Sequence, residues 1–140
     1  MTYDAENIFA KILRREIPSH KVYEDADALV IMDAMPQSRG HTLIIPKAHS
    51  RNLLDADPEI LARVAPLVQN IARAVKEAFA ADGVTVMQFN EPASGQTVFH
   101  LHFHVIPRIN GVPLQSHTGA MEAPEVLAAN AEKIRKVLAS

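Results

Sequence analysis

Three histidines, His100, His102 and His104, alternate with large apolar residues in the segment 99–108. Imidazoles hold metal ions, transfer protons or attack phosphorus, so three of them at this spacing suggest a chemical site. Because side chains alternate between the two faces of a strand, the three histidines would share one face. The bulky apolar residues between them are typical of a strand whose opposite face is buried. The pattern therefore predicts a strand with a row of imidazoles on one side.

Three interpretations of this row are open. It is a histidine-rich surface strand without a chemical role, or a zinc site, or a nucleophilic site in which the middle histidine attacks an anionic group. In a straight strand His100 and His104 lie roughly 13 Å apart, too far to share one ion. A zinc site would need two of the histidines and a ligand from elsewhere, and the chain has no cysteine. The spacing favours catalysis, because a phosphate is wide enough to contact several imidazoles.

Residue patterns in the rest of the chain predict the strands and helices that would hold these histidines in place. Strand patterns occupy five segments, at 22–24, 28–33, 41–46, 85–90 and 98–107. Helical patterns predict a short helix at 7–15, a long one from Pro58 to a stop at Asp82-Gly83, and a terminal one at 124–138. Pro66 predicts a kink or local break within 62–66 of the long helix. Sequential strands with inserted helices indicate an α+β fold with an antiparallel sheet.

Composition excludes several classes of protein. The net charge is −2 without a basic run, which gives no support to a nucleic-acid or anionic membrane partner. No apolar run reaches the roughly 18 residues of a membrane span, and the first residues lack the features of a secretory signal. Zero cysteines rule out disulfides and thiol nucleophiles. We therefore expect one domain over residues 1–140, in the cytoplasm, without a cofactor.

The segment 99–106 resembles the His-φ-His-φ-His-φ-φ signature of the histidine triad (HIT) family, in which φ is apolar. Segments 8–12, 16–18, 40–49 and 90–98 are similar to the Hint-like branch of that family, and the resemblance covers about residues 3 to 108. It implies a HIT-like fold with a five-stranded antiparallel sheet that continues across a homodimer. The tail and helix of residues 109–140 carry no family signature.

The resemblance also implies an activity. A HIT protein of this branch would bind a purine nucleotide such as AMP and cleave the α-phosphate linkage of nucleoside phosphoramidates or related conjugates. His102 would form a nucleotidyl intermediate, and no metal would be needed. The alternatives are a dinucleoside polyphosphate hydrolase, a zinc-dependent hydrolase, and a non-enzymatic nucleotide-binding or partner-docking protein.

Site residues follow from the same resemblance. The catalytic candidates are His41, Thr97, His100, His102 and His104. The nucleotide-binding candidates are Ile8, Phe9, Ile17, Ile31, Asp33, Asn90, Gly95 and Gln96, of which the isoleucines and Phe9 would hold the purine and Asp33 the ribose. The Hint-like pattern usually has serine where Thr97 stands, and the extra methyl group restricts the hydroxyl. His20 and His117 match no motif and are predicted to lie on the surface, while His49 would support its loop.

Overall fold

The computed structural model describes residues 1–117 and 120–140. Five strands lie in these residues: β1 (Lys21–Glu24), β2 (Ala28–Met32), β3 (Thr42–Pro46), β4 (Gly83–Met87) and β5 (Phe103–Arg108). The helices there are α1 (Ile8–Leu13), α2 (Pro58–Ala78) and α3 (Pro124–Ala139). The strands form one antiparallel sheet in the order β1-β2-β3-β5-β4. The predicted α+β fold with a five-stranded antiparallel sheet is confirmed.

The sheet is covered on both faces, which explains why β2 and β3 read as continuous apolar runs. On one face Ile44 packs with Ile71 of α2 and Ile134 of α3. On the other face Ile45 packs with Phe9 of α1. Because neighbouring residues of a strand point to opposite faces, β3 contributes to both clusters and lies at the centre of the fold.

The long helix begins as predicted, because the Asp57 side chain accepts a hydrogen bond from the Glu59 amide at 2.9 Å. Of the kink or local break predicted near Pro66, the break is wrong, because α2 continues through this residue to Ala78. The kink stays a prediction. Pro66 and Ala62 both lie on the exposed side of the helix. The Ala62 carbonyl, which loses its usual N–H partner, can therefore be hydrated, and this lowers the cost of the proline.

The end of α2 differs from the prediction as well. The helix stops at Ala78, one turn before Asp82-Gly83. Just after its end, Ala80 takes a left-handed conformation with φ 48°. The Ala81 amide then donates to the Lys76 carbonyl at 2.9 Å and closes the last turn. Gly83 instead begins β4, so this strand lies two residues earlier than the predicted start.

The strand that carries the histidines is shorter than predicted. β5 begins at Phe103, so His100 and His102 lie in the irregular segment that leads into it. The Leu101 amide donates to the Ser50 carbonyl at 2.9 Å, which ties this segment to a loop rather than to a neighbouring strand. Alternating residue types predicted a strand here, but these tertiary hydrogen bonds determine the conformation.

The part of the chain that is described contains no helix long and apolar enough to cross a membrane.

Candidate functional site

His102 lies just before β5 and His104 within it, and their ring centroids are 5.0 Å apart. His104 is opposite Leu43 of β3 and Met87 of β4, so the centre of the sheet fixes its position. The His102 ring packs edge-on against Phe9 of α1 at 4.7 Å. Both imidazoles are at least nine-tenths buried. The sheet and the short helix together hold two histidines at one place.

His102 donates one hydrogen bond to the main chain, and its other ring nitrogen has no hydrogen-bond partner among the residues that the structure describes. Its Nδ1 lies 2.7 Å from the His100 carbonyl oxygen, which can only accept, so Nδ1 carries the hydrogen and donates it. Nε2 of the neutral ring then keeps its lone pair. Burial lowers the pKa of His102 to about 4, with the bond to His100 opposing this shift. At neutral pH His102 is an uncharged base with the electron pair that a nucleophile requires.

His41 and His104 are linked by a hydrogen bond whose direction is fixed by the main chain. The Gln37 amide donates to His41 Nδ1 at 3.1 Å, so the neutral His41 ring carries its hydrogen on Nε2. His41 Nε2 lies 2.9 Å from His104 Nδ1 and donates to it. His104 must then carry its own hydrogen on Nε2. Burial lowers the pKa of both rings to about 3, so His104 presents a neutral N–H donor beside His102.

Gly40 allows His41 to enter this cluster. It has a φ of 91°, in the region that favours glycine. A Cβ atom at this position would lie 2.6 Å from a ring carbon of Phe79. The backbone just before His41 is therefore pressed against the end of α2, where no side chain would fit.

The His100 ring lies in a different environment from the other two. Its Nε2 donates to the Pro46 carbonyl at 2.7 Å, so Nδ1 is the acceptor and the Tyr3 hydroxyl donates to it at 2.6 Å. Tyr3 in turn stacks on His49, with centroids 4.7 Å apart. The predicted row of three imidazoles on one strand face is wrong for His100, because β5 begins only at Phe103 and His100 lies at a bend before it. Its carbonyl, rather than its ring, contacts the His102 ring.

Asp33 lies at the end of β2 and is almost fully buried. Its Oδ1 accepts from the Met35 amide at 2.8 Å, and its Oδ2 lies 3.4 Å from His41 Nε2 and 2.8 Å from His117 Nε2. Burial raises the pKa of Asp33, and the contacts with His117 and the Met35 amide oppose that rise. The ribose candidate is therefore adjacent to the histidine cluster.

His117, which was predicted to lie on the surface, has a side chain that is 38% exposed, but it also contacts the histidine cluster. Its ring centroid is 5.6 Å from that of His41 and 5.9 Å from that of His104, in addition to its contact with Asp33. His117 belongs to the irregular segment after β5, where neither periodicity nor motif marks it. No local sequence signal could have found it.

Gln96 is a buried residue that organises the loop before the histidines. Its side-chain amide uses both ends: Oε1 accepts two hydrogen bonds and Nε2 donates two. The partners are Asn52 and the Glu91 amide for Oε1, and the Arg51 and Val98 carbonyls for Nε2. The structure therefore places Gln96 inside the loop as a brace, with its polar atoms engaged by the protein.

The other candidates of this loop lie nearer the surface. Asn90 accepts from the Leu53 amide at 2.9 Å through its side-chain oxygen. Gly95, with φ 106°, closes the short turn Pro92–Ser94. Thr97 follows at an exposed position. The loop that precedes the His102 segment therefore exposes the Thr97 hydroxyl and the Gly95 backbone.

The apolar candidates divide into two groups. Phe9 and Ile31 are buried in one cluster, with Ile17 packed against it. Ile8 lies outside the cluster and is 47% exposed. Since Phe9 also contacts the His102 ring, the cluster borders the histidines.

Among the residues that the structure describes, one group of side chains could hold a metal ion. Ligand atoms of Asp33, His41 and His104 all lie within 4.8 Å of one another. A carboxylate with two imidazoles is a donor set that zinc accepts. The His104 Nδ1 lone pair is occupied by the hydrogen bond from His41, so an ion would have to replace that bond.

The chain matches known proteins over most of its length. The model of the HIT domain matches residues 14–111. A crystal structure described as a HIT-like protein involved in cell-cycle regulation from Bartonella henselae is 60% identical, with a TM-score of 0.91, and the match covers 97% of this chain and 99% of that one.

Two curated relatives carry named activities. Adenosine 5'-monophosphoramidase HNT1 of Saccharomyces cerevisiae is 40% identical over 107 residues, which are 76% of this chain and 65% of the relative. Adenylylsulfatase HINT3 of Arabidopsis thaliana is 40% identical over 107 residues, 76% of this chain and 54% of the relative. Together with the domain match, these relatives support a nucleotide hydrolase.

Proposed function

The chain belongs to the HIT family, and from this premise we propose that it hydrolyses purine nucleoside phosphoramidates or related nucleotide conjugates through a nucleotidyl-His102 intermediate. The observation that carries the proposal is the tautomer of His102. Its Nδ1 donates to the His100 carbonyl, so the lone pair of Nε2 is available in a ring that stays neutral. A binding protein has no need for such an arrangement.

In the first step the Nε2 lone pair of His102 forms a bond to the α-phosphorus. The bond from phosphorus to the leaving nitrogen breaks, and its electron pair goes to the departing amine. That amine takes a proton from the Thr97 hydroxyl or from a neighbouring histidine. The N–H of His104 would stabilise the charge that develops on the phosphoryl oxygens, since it is already oriented by His41.

In the second step water releases the nucleotide. The water oxygen attacks phosphorus, the bond to His102 Nε2 breaks, and the proton of the water returns to the group that protonated the amine. The products are the nucleoside monophosphate and the unchanged enzyme. Splitting one displacement into two lets the same electrostatic environment serve both.

The three parts of the nucleotide, its purine, its ribose and its phosphate, would each contact a different group of the candidate residues. We propose that the purine contacts the apolar cluster of Phe9, Ile17 and Ile31, together with the exposed side chain of Ile8. Asp33 would accept hydrogen bonds from the ribose. The phosphate would then reach His102 near the loop formed by Asn90, Gly95, Gln96 and Thr97. An apolar surface reads few edges of a base, so discrimination between purines should be modest.

A zinc-dependent hydrolase is the second candidate, because Asp33, His41 and His104 converge closely enough to hold an ion. In that case the ion would polarise the phosphate and His102 would not become modified. The two candidates differ in their response to a chelator. We favour the covalent route, because it keeps the hydrogen bond between His41 and His104, which a bound ion would replace.

The deciding experiment measures AMP release from adenosine 5'-phosphoramidate in the presence of EDTA. We expect turnover by the wild type, adenylate trapped on His102, and loss of both in His102→Gly. His20→Gln is the matched control, because His20 lies outside the cluster and should keep full activity. Activity lost with EDTA and restored by zinc would favour the second candidate. AMP binding without turnover of phosphoramidate, dinucleoside polyphosphate or adenylylsulfate would indicate a binding protein.

We also propose that residues 1–140 form one domain and that two copies assemble through a sheet edge. β4 is an edge strand of the described sheet, and its Val86 is 48% exposed. An edge strand presents unpaired backbone N–H and C=O groups, which can pair with a strand of a second copy.

A further inference from the structure

The segment after β5 is fastened beside Asp33 by main-chain hydrogen bonds. The Gln115 amide donates to the Gln37 carbonyl at 2.8 Å, and the Gln37 side chain donates to the Gln115 carbonyl at 3.3 Å. Further along, the Glu122 amide donates to the Ala34 carbonyl at 2.9 Å. His117 lies between these two attachments, which explains how a residue so distant in sequence reaches the site.

The hydrogen bonds of the Asp33 carboxylate are all made within the protein. Its Oδ1 accepts from the Met35 amide, and its Oδ2 faces His117 at 2.8 Å and His41 at 3.4 Å. The Asp33 side chain is 6% exposed, whereas that of His117 is 38% exposed. Of the two imidazoles on Oδ2, His117 is therefore the one that can move into solvent while the hydrogen bond between His41 and His104 stays in place.

We propose that His117 competes with the ribose of the bound nucleotide for Asp33 Oδ2, and so sets the affinity for ribonucleotides. The inference rests on the proposed function, because it takes Asp33 as the ribose ligand. A vicinal diol carries two O–H donors and can replace the N–H of His117 on a carboxylate. A ligand without these hydroxyls makes no demand on Asp33 and leaves the contact with His117 in place.

This competition has a use in the reaction. AMP is the product, and an enzyme that binds its product tightly turns over slowly. The energy of the ribose contact is offset by the contact that His117 gives up, so the free enzyme is restored readily when AMP leaves. His117 thus weakens the ground-state complex while the histidines that face the phosphorus remain untouched.

The test measures the binding of two ligands by calorimetry, with EDTA present throughout. AMP and 2',3'-dideoxy-AMP differ only in the sugar hydroxyls. We expect His117→Ala to bind AMP about three to ten times more tightly, since a hydrogen bond to a charged group is strong but this one is partly exposed to solvent. Binding of the dideoxy analogue should not change. His20→Ala is the matched histidine control and should equal the wild type with both ligands.

A double-mutant cycle locates the effect on Asp33. In Asp33→Asn, AMP should bind more weakly, and adding His117→Ala should then change the affinity by less than about twofold. Equal gains for AMP and the dideoxy analogue would mean that His117 merely obstructs the site, and would overturn the inference. So would AMP affinity that is unchanged or weaker in His117→Ala. If AMP bound to none of these proteins, the proposed function would fail and the inference with it.

Discussion

Acidification should destabilise this protein well before its carboxylates are titrated. Burial lowers the pKa of His41 and His104 to about 3 and that of His102 to about 4. An unfolded histidine has a pKa of about 6.5. Between these values the unfolded chain binds protons that the folded protein does not. The contribution of these neutral imidazoles to the free energy of unfolding is therefore complete above pH 6.5 and is lost as the pH falls toward 4.

The size of the effect follows from linkage. Each of the three groups costs about 1.4 kcal/mol per pH unit below 6.5, so at pH 5 each removes about 2 kcal/mol and all three about 6 kcal/mol. This is comparable with the whole free energy of unfolding of a typical domain, about 5–15 kcal/mol. The lowered pKa of His100 adds to the loss, and the raised pKa of Asp33 opposes it.

Urea denaturation at pH 7.5, 6.5, 5.5 and 5.0 measures this loss directly. We expect the free energy of unfolding to fall with a slope that approaches three protons or more below pH 5.5. His104→Asn should reduce the slope by about one proton, or about 1.4 kcal/mol per pH unit. His20→Gln should keep the slope of the wild type. Stability that stays constant down to pH 5, or an equal slope in His104→Asn, would refute the assignment of neutral buried imidazoles.

Three further predictions concern the site and the assembly. Tyr3→Phe removes the donor to His100 Nδ1, and we expect kcat to fall about threefold to tenfold with little change in KM. Tyr23→Phe, at the other tyrosine, is the control and should have no effect. Equal kinetics in the two variants would exclude a positioning role for Tyr3. Added zinc should inhibit, and EDTA should restore activity, because an ion on His41 and His104 replaces their hydrogen bond; stimulation by zinc would contradict the covalent route. Light scattering at micromolar concentration should give the mass of a dimer, and a monomeric mass would remove the assembly through β4.

The fold was predictable because its signals are local. Apolar runs marked β2 and β3, and the Asp57 cap with Pro58 marked the start of α2. The errors occur where tertiary contacts decide. The Ser50 carbonyl binds the Leu101 amide and ends the strand pattern before β5, and solvent exposure makes Pro66 tolerable within the helix.

The site was predictable in its residue types but less so in its arrangement. The alternating histidines predicted a cluster, and His102 and His104 do lie together. Tyr3 lies near the amino terminus and His117 in the segment between β5 and α3, and long-range hydrogen bonds bring both to the site. Such contacts leave no periodic pattern, so a single sequence contains no signal for them.

The histidines of the signature have identical side chains and different partners, and the partners determine their chemistry. A carbonyl acceptor on Nδ1 makes His102 a lone-pair donor at Nε2. An imidazole N–H donor on Nδ1 makes His104 a hydrogen-bond donor at Nε2. His100 has both nitrogens engaged by the protein and contributes through its main chain. The proposed roles of nucleophile, electrostatic stabiliser and positioning group can therefore fall to one residue type, because main-chain partners determine which ring nitrogen carries the hydrogen.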